Sequence, residues 1–259
     1  MYESLRLDVS DRIARVTFTT PDSLNSITEQ RLADLRAVVD HVRDDESIRV
    51  LSFTGTGRAF CVGLDLGLLQ RAFAEIRYFE SVVRRLNAIL LDLEALPLPV
   101  VAAVNGFARA GGFELALACD FMLIADEAKI GDNHAHVGVM PGGGSTQRLP
   151  RRIGEQRAKE LIFRAHWLTG TEAAACGLAL RSVPLARLAA ETDALLEELS
   201  HRPRALSGAI KRTIHDGRPL PLREGIELEI ASFVRYMGDE PYAREGFRAS
   251  LAKQDPDWY

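Results

Sequence analysis

Glu114 lies at the head of the chemistry this chain can offer, in the stretch Phe107-Ala108-Arg109-Ala110-Gly111-Gly112-Phe113-Glu114-Leu115-Ala116. The buried-looking run from Pro99 to Gly106 precedes it. The pattern reads as a strand ending at Asn105-Gly106, a tight turn, and a helix from about Gly111. Glycine lets a ligand approach the backbone closely. The first N–H groups of a helix lack partners inside it and sit at its positive end, so a carbonyl that gains negative charge is stabilised there. Glu114 falls in that same first turn, which suits proton transfer beside a carbonyl held as an enolate. Taken alone, Gly111-Gly112 reads equally as a helix-packing device, and Glu114 as an ordinary carboxylate near a helix N-terminus.

A second half-site lies upstream. Arg58-Ala59-Phe60-Cys61-Val62-Gly63-Leu64-Asp65-Leu66 follows the strand-like Val50 to Thr54, again in the order strand, loop, glycine, polar residue, helix. The backbone N–H groups of Leu64 and Gly111 can then converge on one oxygen. These two motifs occur in order with Asp22-Ser23-Leu24-Asn25, with Pro141-Gly142-Gly143-Gly144-Ser145-Thr146-Gln147-Arg148-Leu149-Pro150 and with Glu245-Gly246-Phe247. Together they resemble the enoyl-CoA hydratase/isomerase (crotonase) family over nearly the whole chain.

The resemblance implies an α/β fold, a crotonase-like spiral of ββα turns with a helical C-terminal portion. It divides the chain into a core, residues 1–200, and a helical portion, 201–259, that makes trimer contacts and covers a neighbouring acyl-CoA site. It implies Leu64 and Gly111 as oxyanion donors, and Glu114 as the first of two glutamates that hold a water. At the second glutamate the chain departs from the pattern: the aligned stretch Gly131-Asp132-Asn133-His134-Ala135-His136-Val137-Gly138 puts His134 there. A Glu/His pair can divide acid and base work as two carboxylates do, since histidine reaches both forms near neutrality. Asp132 shares a face with His134 in an extended segment and can orient its ring. His134 also reads as a hydrogen-bonded structural histidine.

Contacts to the acyl-CoA are implied for Asn25, Arg58, Ala59, Phe60, Gly63, Asp65, Gly112, Pro141 and Gly142. Lys211 and Phe233 match C-terminal positions that often approach CoA, and Leu68 to Phe79 is read as acyl-pocket lining. Ser145 or Thr146 fits the cap of the helix after the glycine run. The implied reaction is hydration of a trans-2-enoyl-CoA. The alternatives are isomerisation, decarboxylation, C–C or thioester hydrolysis, or acyl-CoA binding without catalysis. Coenzyme A arrives as part of the substrate and no separate cofactor is expected. The implied assembly is a homotrimer or a dimer of trimers.

Composition narrows the classes. The chain has 259 residues, 47% of them hydrophobic, and a net charge of −4, which argues against a general nucleic-acid binder. Cys61, Cys119 and Cys176 are widely spaced and form neither a zinc pattern nor an even disulfide set; Cys61 reads as packing. His134 and His136 at i, i+2 have no further cluster of ligand spacing beside them, so no metal is expected. The glycine run lacks the Lys-Ser/Thr ending of a nucleotide loop. Met1 to Arg6 shows no signal-peptide pattern and no apolar run approaches membrane-spanning length, so a soluble cytoplasmic enzyme is expected.

Periodicity supplies the frame. Leu5 to Val9 and Ile13 to Phe18 predict a hairpin. Ser26-Ile27-Thr28-Glu29 has capping-box form before a helix carrying Leu32, Leu35, Val38, Val39 and Val42. Strands are predicted at 50–54, 100–104 and 121–125, with a mainly helical 72–96 between the first two. Helices are predicted at 154–163 and from Thr169 to Gly177, and a short strand at 180–183. From Pro184 the chain reads as four helices, 185–200, 204–216, 222–237 and 241–253.

Overall fold

A computed structural model describes residues 2–258. The opening hairpin pairs β1 (Leu5–Ser10) antiparallel to β2 (Ile13–Phe18). Then come α1 (Glu29–Asp44), β3 (Val50–Gly55), β4 (Ala59–Cys61), α2 (Leu66–Ala74) and α3 (Ile76–Ala95). The next turn holds β5 (Val100–Val104), β6 (Phe107–Arg109) and α4 (Gly111–Leu117). It is followed by β7 (Phe121–Ala125), β8 (Lys129–Gly131), α5 (Ser145–Ile153) and α6 (Glu155–Arg164). β9 (Leu168–Thr169), α7 (Gly170–Ala175), β10 (Arg181–Val183) and α8 (Leu185–Ser200) complete the core. α9 (Arg204–Gly217), α10 (Leu222–Asp239) and α11 (Pro241–Ala252) end the chain.

Two sheets organise these elements. The larger has the order β1-β2-β3-β5-β7-β10 and the smaller β4-β6-β8-β9. From β2 onward the large sheet is parallel, and β4, β6 and β8 are parallel in the small one. Each of three successive turns therefore gives its first strand to the large sheet and its second to the small sheet, as in the expected ββα spiral. β5 is buried throughout, as a parallel strand covered on both faces must be. Phe18 sits against Phe53 and Phe60 at ring distances of 6.1 and 5.7 Å.

At three places the local structure differs from the sequence expectation. The cap of α1 is Thr28, whose side chain accepts from the Arg31 N–H, and not Ser26. The 72–96 helix is two helices: α2 starts earlier because the Asp65 carboxylate caps Gly67 and Leu68, and the chain breaks at an extended Glu75. At α5 the cap position is Gly144 in the left-handed region and no side chain caps the helix; Ser145 is inside it, its hydroxyl buried without a hydrogen-bond partner.

The C-terminal helices lie at the expected places, but α10 buries none of its residues. No helix among the described residues is long and apolar enough to cross a membrane.

Candidate active site

Each turn of the spiral ends its second strand in a loop, and the three loops meet. After β4 the chain turns at Gly63, whose φ of +89° favours glycine. A side chain there would also come within 2.9 Å of the Gly111 nitrogen. Leu64 then bridges to Ile27: the Ile27 N–H donates to Gly63 O at 2.8 Å and the Asp65 N–H to Ile27 O at 3.0 Å. In an extended segment successive N–H groups alternate sides, so the Leu64 N–H points away from Ile27.

After β6, Ala110 adopts φ 47°, ψ −124° and no side chain caps α4. The Gly111 N–H is thus one of the unpaired donors of a helix start. The two donors are neighbours: a Cβ on Gly111 would lie 3.3 Å from Gly63 Cα and 3.8 Å from the Leu64 nitrogen. Gly112 serves packing, because a Cβ there would fall 2.0 Å from the Cys61 carbonyl oxygen.

Glu114 is 2% exposed. Its Oε1 accepts from the Gly143 N–H at 2.7 Å and the Ser145 N–H at 3.1 Å. A Cβ on Gly143 would stand 2.2 Å from Glu114 Oε2 and would displace the carboxylate. Both amide bonds fall on Oε1, which leaves Oε2 for a ligand or water. Burial pushes the carboxyl above its usual range; the His134 charge and the Ser145 and Gly143 amides oppose this only in part, while Asp132 adds to it.

After β8 comes the stretch in which the sequence resemblance expects His134 to face Glu114. Asp132 is fully buried and His134 has 16% of its side chain exposed. The segment is not extended as expected: Asn133 is left-handed at φ 60° and His134 enters a short 3-10 turn. Asp132 and His134 nevertheless meet, through a tight turn in which Asp132 Oδ1 accepts the His134 backbone N–H at 3.2 Å and faces ring Nδ1 at 3.0 Å. A carboxylate at Nδ1 selects the tautomer with the proton there and turns Nε2 outward. Burial works against the imidazolium, but the Asp132 hydrogen bond and the charges of Asp132 and Glu114 outweigh it and lift the His134 pKa above its ordinary value. His136 lies exposed on the following turn, and among the described residues no group of three His, Cys, Asp or Glu could hold a metal ion.

The expected acyl-CoA contacts divide by burial. Asn25 is spent inside the fold, accepting from Thr20 N–H and donating to the Thr56 and Ala59 carbonyls. Ala59 and Phe60 are equally buried, so these three shape the wall without offering side chains. Arg58 is exposed beside the loop, Pro141 is half-buried and Gly142 exposed. Asp65 is occupied as the α2 cap. Lys211 pairs with Asp120 at 2.7 Å and ties α9 to the core, while Phe233 is 61% exposed on α10. Leu68 and Ala72 of the expected acyl lining are buried and Phe73 is exposed. The Gly143 and Ser145 amides, absent from the sequence-based set, had one readable signal: a glycine run ending where a helix begins.

A profile of the enoyl-CoA hydratase/isomerase family matches residues 8–259, and the chain belongs to that family. It is similar to the crotonyl-CoA hydratase of Syntrophomonas wolfei, 30% identical over 98% of this chain and 96% of that one. It is 34% identical to a probable enoyl-CoA hydratase of Rhodobacter capsulatus, over 98% and 97% of the two chains. The crystal structure of an enoyl-CoA hydratase from Bacillus anthracis superposes with a TM-score of 0.93 at 30% identity, covering 99% of each chain.

Proposed function

We propose that this protein adds water across the 2,3 double bond of a trans-2-enoyl-CoA. The observation that carries the reading is the buried Glu114, aimed by two backbone amides beside the convergent Leu64 and Gly111 donors. The thioester oxygen lies between those two N–H groups, each worth about 3–4 kcal/mol as the enolate forms. Glu114 Oε2 takes a proton from water while the hydroxide oxygen bonds C3, and the electron pair of the double bond moves onto the thioester oxygen. His134, with Nδ1–H held by Asp132, gives its Nε2 proton to C2 as the enolate collapses. The resulting carboxylic acid and neutral imidazole return to their starting states by proton exchange with solvent. Coenzyme A comes with the substrate, and no other cofactor takes part.

Loss of the conjugated-enoyl absorbance of crotonyl-CoA and longer homologues, with a hydroxyacyl-CoA product, supports this reading. Release of free CoA without a hydroxyacyl product would replace it. The Asp132–His134 pair favours that second reading, hydrolysis of the thioester with His134 as base, because a His–Asp pair stands where hydratases of the family place a carboxylate.

The chain is further proposed to work as a trimer or a pair of trimers through residues 201–259. The support is the exposed stripe Ile226, Ile230, Phe233 and Met237 on α10, at helical spacing and unpaired in a single chain.

A further inference from the structure

Behind the candidate active site, α3 grips the turn that aims Glu114. Arg148 of α5 meets Glu94 of α3 in a bidentate pair, Nε to Oε1 at 2.9 Å and Nη2 to Oε2 at 2.7 Å. The remaining arm of the same guanidinium, Nη1, donates to Gly143 O at 2.8 Å. One residue earlier, Asn87 of α3 donates to Gly142 O at 2.8 Å. Asn87 and Glu94 are seven residues apart and share a face of α3. Gly143 therefore has its carbonyl fixed by Arg148 and its N–H fixed on Glu114. Gly144 sits at φ +106°, a conformation that favours glycine, and a Cβ there would also lie 2.0 Å from Arg148 Nη1. The pair is largely buried, with 13% and 20% of the two side chains exposed, so its geometry is not loosened by solvent.

We propose that Arg148 is a positioning residue for Glu114: anchored by Glu94, it fixes the Gly143–Gly144 turn whose amides aim the carboxylate. The inference rests on the reading of Glu114 as the group that activates water. A planar fork is required, because one side chain must satisfy two carboxylate oxygens and a carbonyl together. Without it the turn relaxes, the Gly143 and Ser145 amides no longer hold Oε1, and Glu114 loses two contacts that favour its charged form.

The test uses Arg148→Gln and the double variant Arg148→Gln/Glu94→Gln, which avoids leaving a lone buried carboxylate. Two readouts are taken: kcat and KM on crotonyl-CoA, and an infrared titration of the carboxyl band that disappears in Glu114→Gln. The expected result is a fall in kcat of about ten- to a hundred-fold, the scale of a misplaced catalytic group. KM stays near the wild-type value, and the Glu114 band titrates at higher pH than in wild type. A folded double variant with wild-type kcat and an unmoved Glu114 titration overturns the proposal. If the wild type hydrates no enoyl-CoA, the hydration reading falls, and the infrared titration still judges Arg148.

Discussion

Glu114 carries two loads with opposite consequences. Burial raises its pKa, so the stability tied to its protonated form is present below the ordinary carboxylate range and is lost as pH rises through the raised value. Glutamine keeps the oxygen that accepts from Gly143 and Ser145 and never ionises. Glu114→Gln is therefore expected to lose at least about a hundred-fold in kcat while melting at a higher temperature than wild type, by a margin that widens with pH. Thermal denaturation at several pH values checks this, and an unchanged melting gap between acid and neutral pH would refute it. His134 responds through Asp132. Because the Asp132 bond and charge lift the His134 pKa, Asp132→Asn should bring the alkaline limb of kcat/KM to lower pH. The acid limb, set by ionisation of the first group of the coupled pair, shifts less. A wild-type alkaline limb in Asp132→Asn would show that His134 does not supply the proton.

At the scale of elements, the start of α4 holds two backbone requirements, one at its cap and one in its first turn. Ala110 sits at φ 47°, ψ −124°, a strain of about 1–3 kcal/mol for a residue with a Cβ. Ala110→Gly removes that strain at the smaller cost, about 0.5–1 kcal/mol, of glycine's unfolded freedom, and should raise the melting temperature. Gly112→Ala places a methyl 2.0 Å from the Cys61 carbonyl and should lower stability by about 1–3 kcal/mol as α4 is forced off β4. Opposite shifts in calorimetry are expected, and shifts of the same sign would contradict the geometry. The same region shows what was readable in the sequence. β5 and β7 announce themselves as continuous apolar runs, β3 as a short apolar stretch broken by Ser52 and Thr54, and α8 as an apolar period of 3.6 from Leu185 to Ser200. β4, β6, β8 and β9 are two or three residues long, too short for any period to show, so the small sheet that delivers the loops was not readable. Glu114, Leu64 and Gly111 were readable because glycine marks backbone approach. The Asp132–His134 pairing was readable as a pair but not as a turn, since a left-handed Asn133 interrupts the alternation that the extended reading assumed. The Arg148–Glu94 link joins positions 54 residues apart, and nothing local signals it.

For the whole molecule, the proposed trimer or pair of trimers would cover the apolar stripe of α10, which otherwise stays in water. Static light scattering checks the mass, and Ile230→Arg with Phe233→Arg should release monomers; a wild-type monomer at assay concentration would remove the assembly reading. The spiral has one further consequence. In the proposed reaction the first two loops hold the thioester carbonyl, and the third supplies His134 as the partner of Glu114 in proton transfer. From His134 to Val139 that third loop is bonded to itself, with the Val137 and Val139 N–H groups on His134 O and Gly138 N–H on Ala135 O, and Ala135 to Gly138 are exposed. It is a cassette. Under the proposed function, exchanging that segment would change which step follows enolate formation while leaving the Leu64 and Gly111 donors in place, so new activities could arise through intermediates that still bind the substrate.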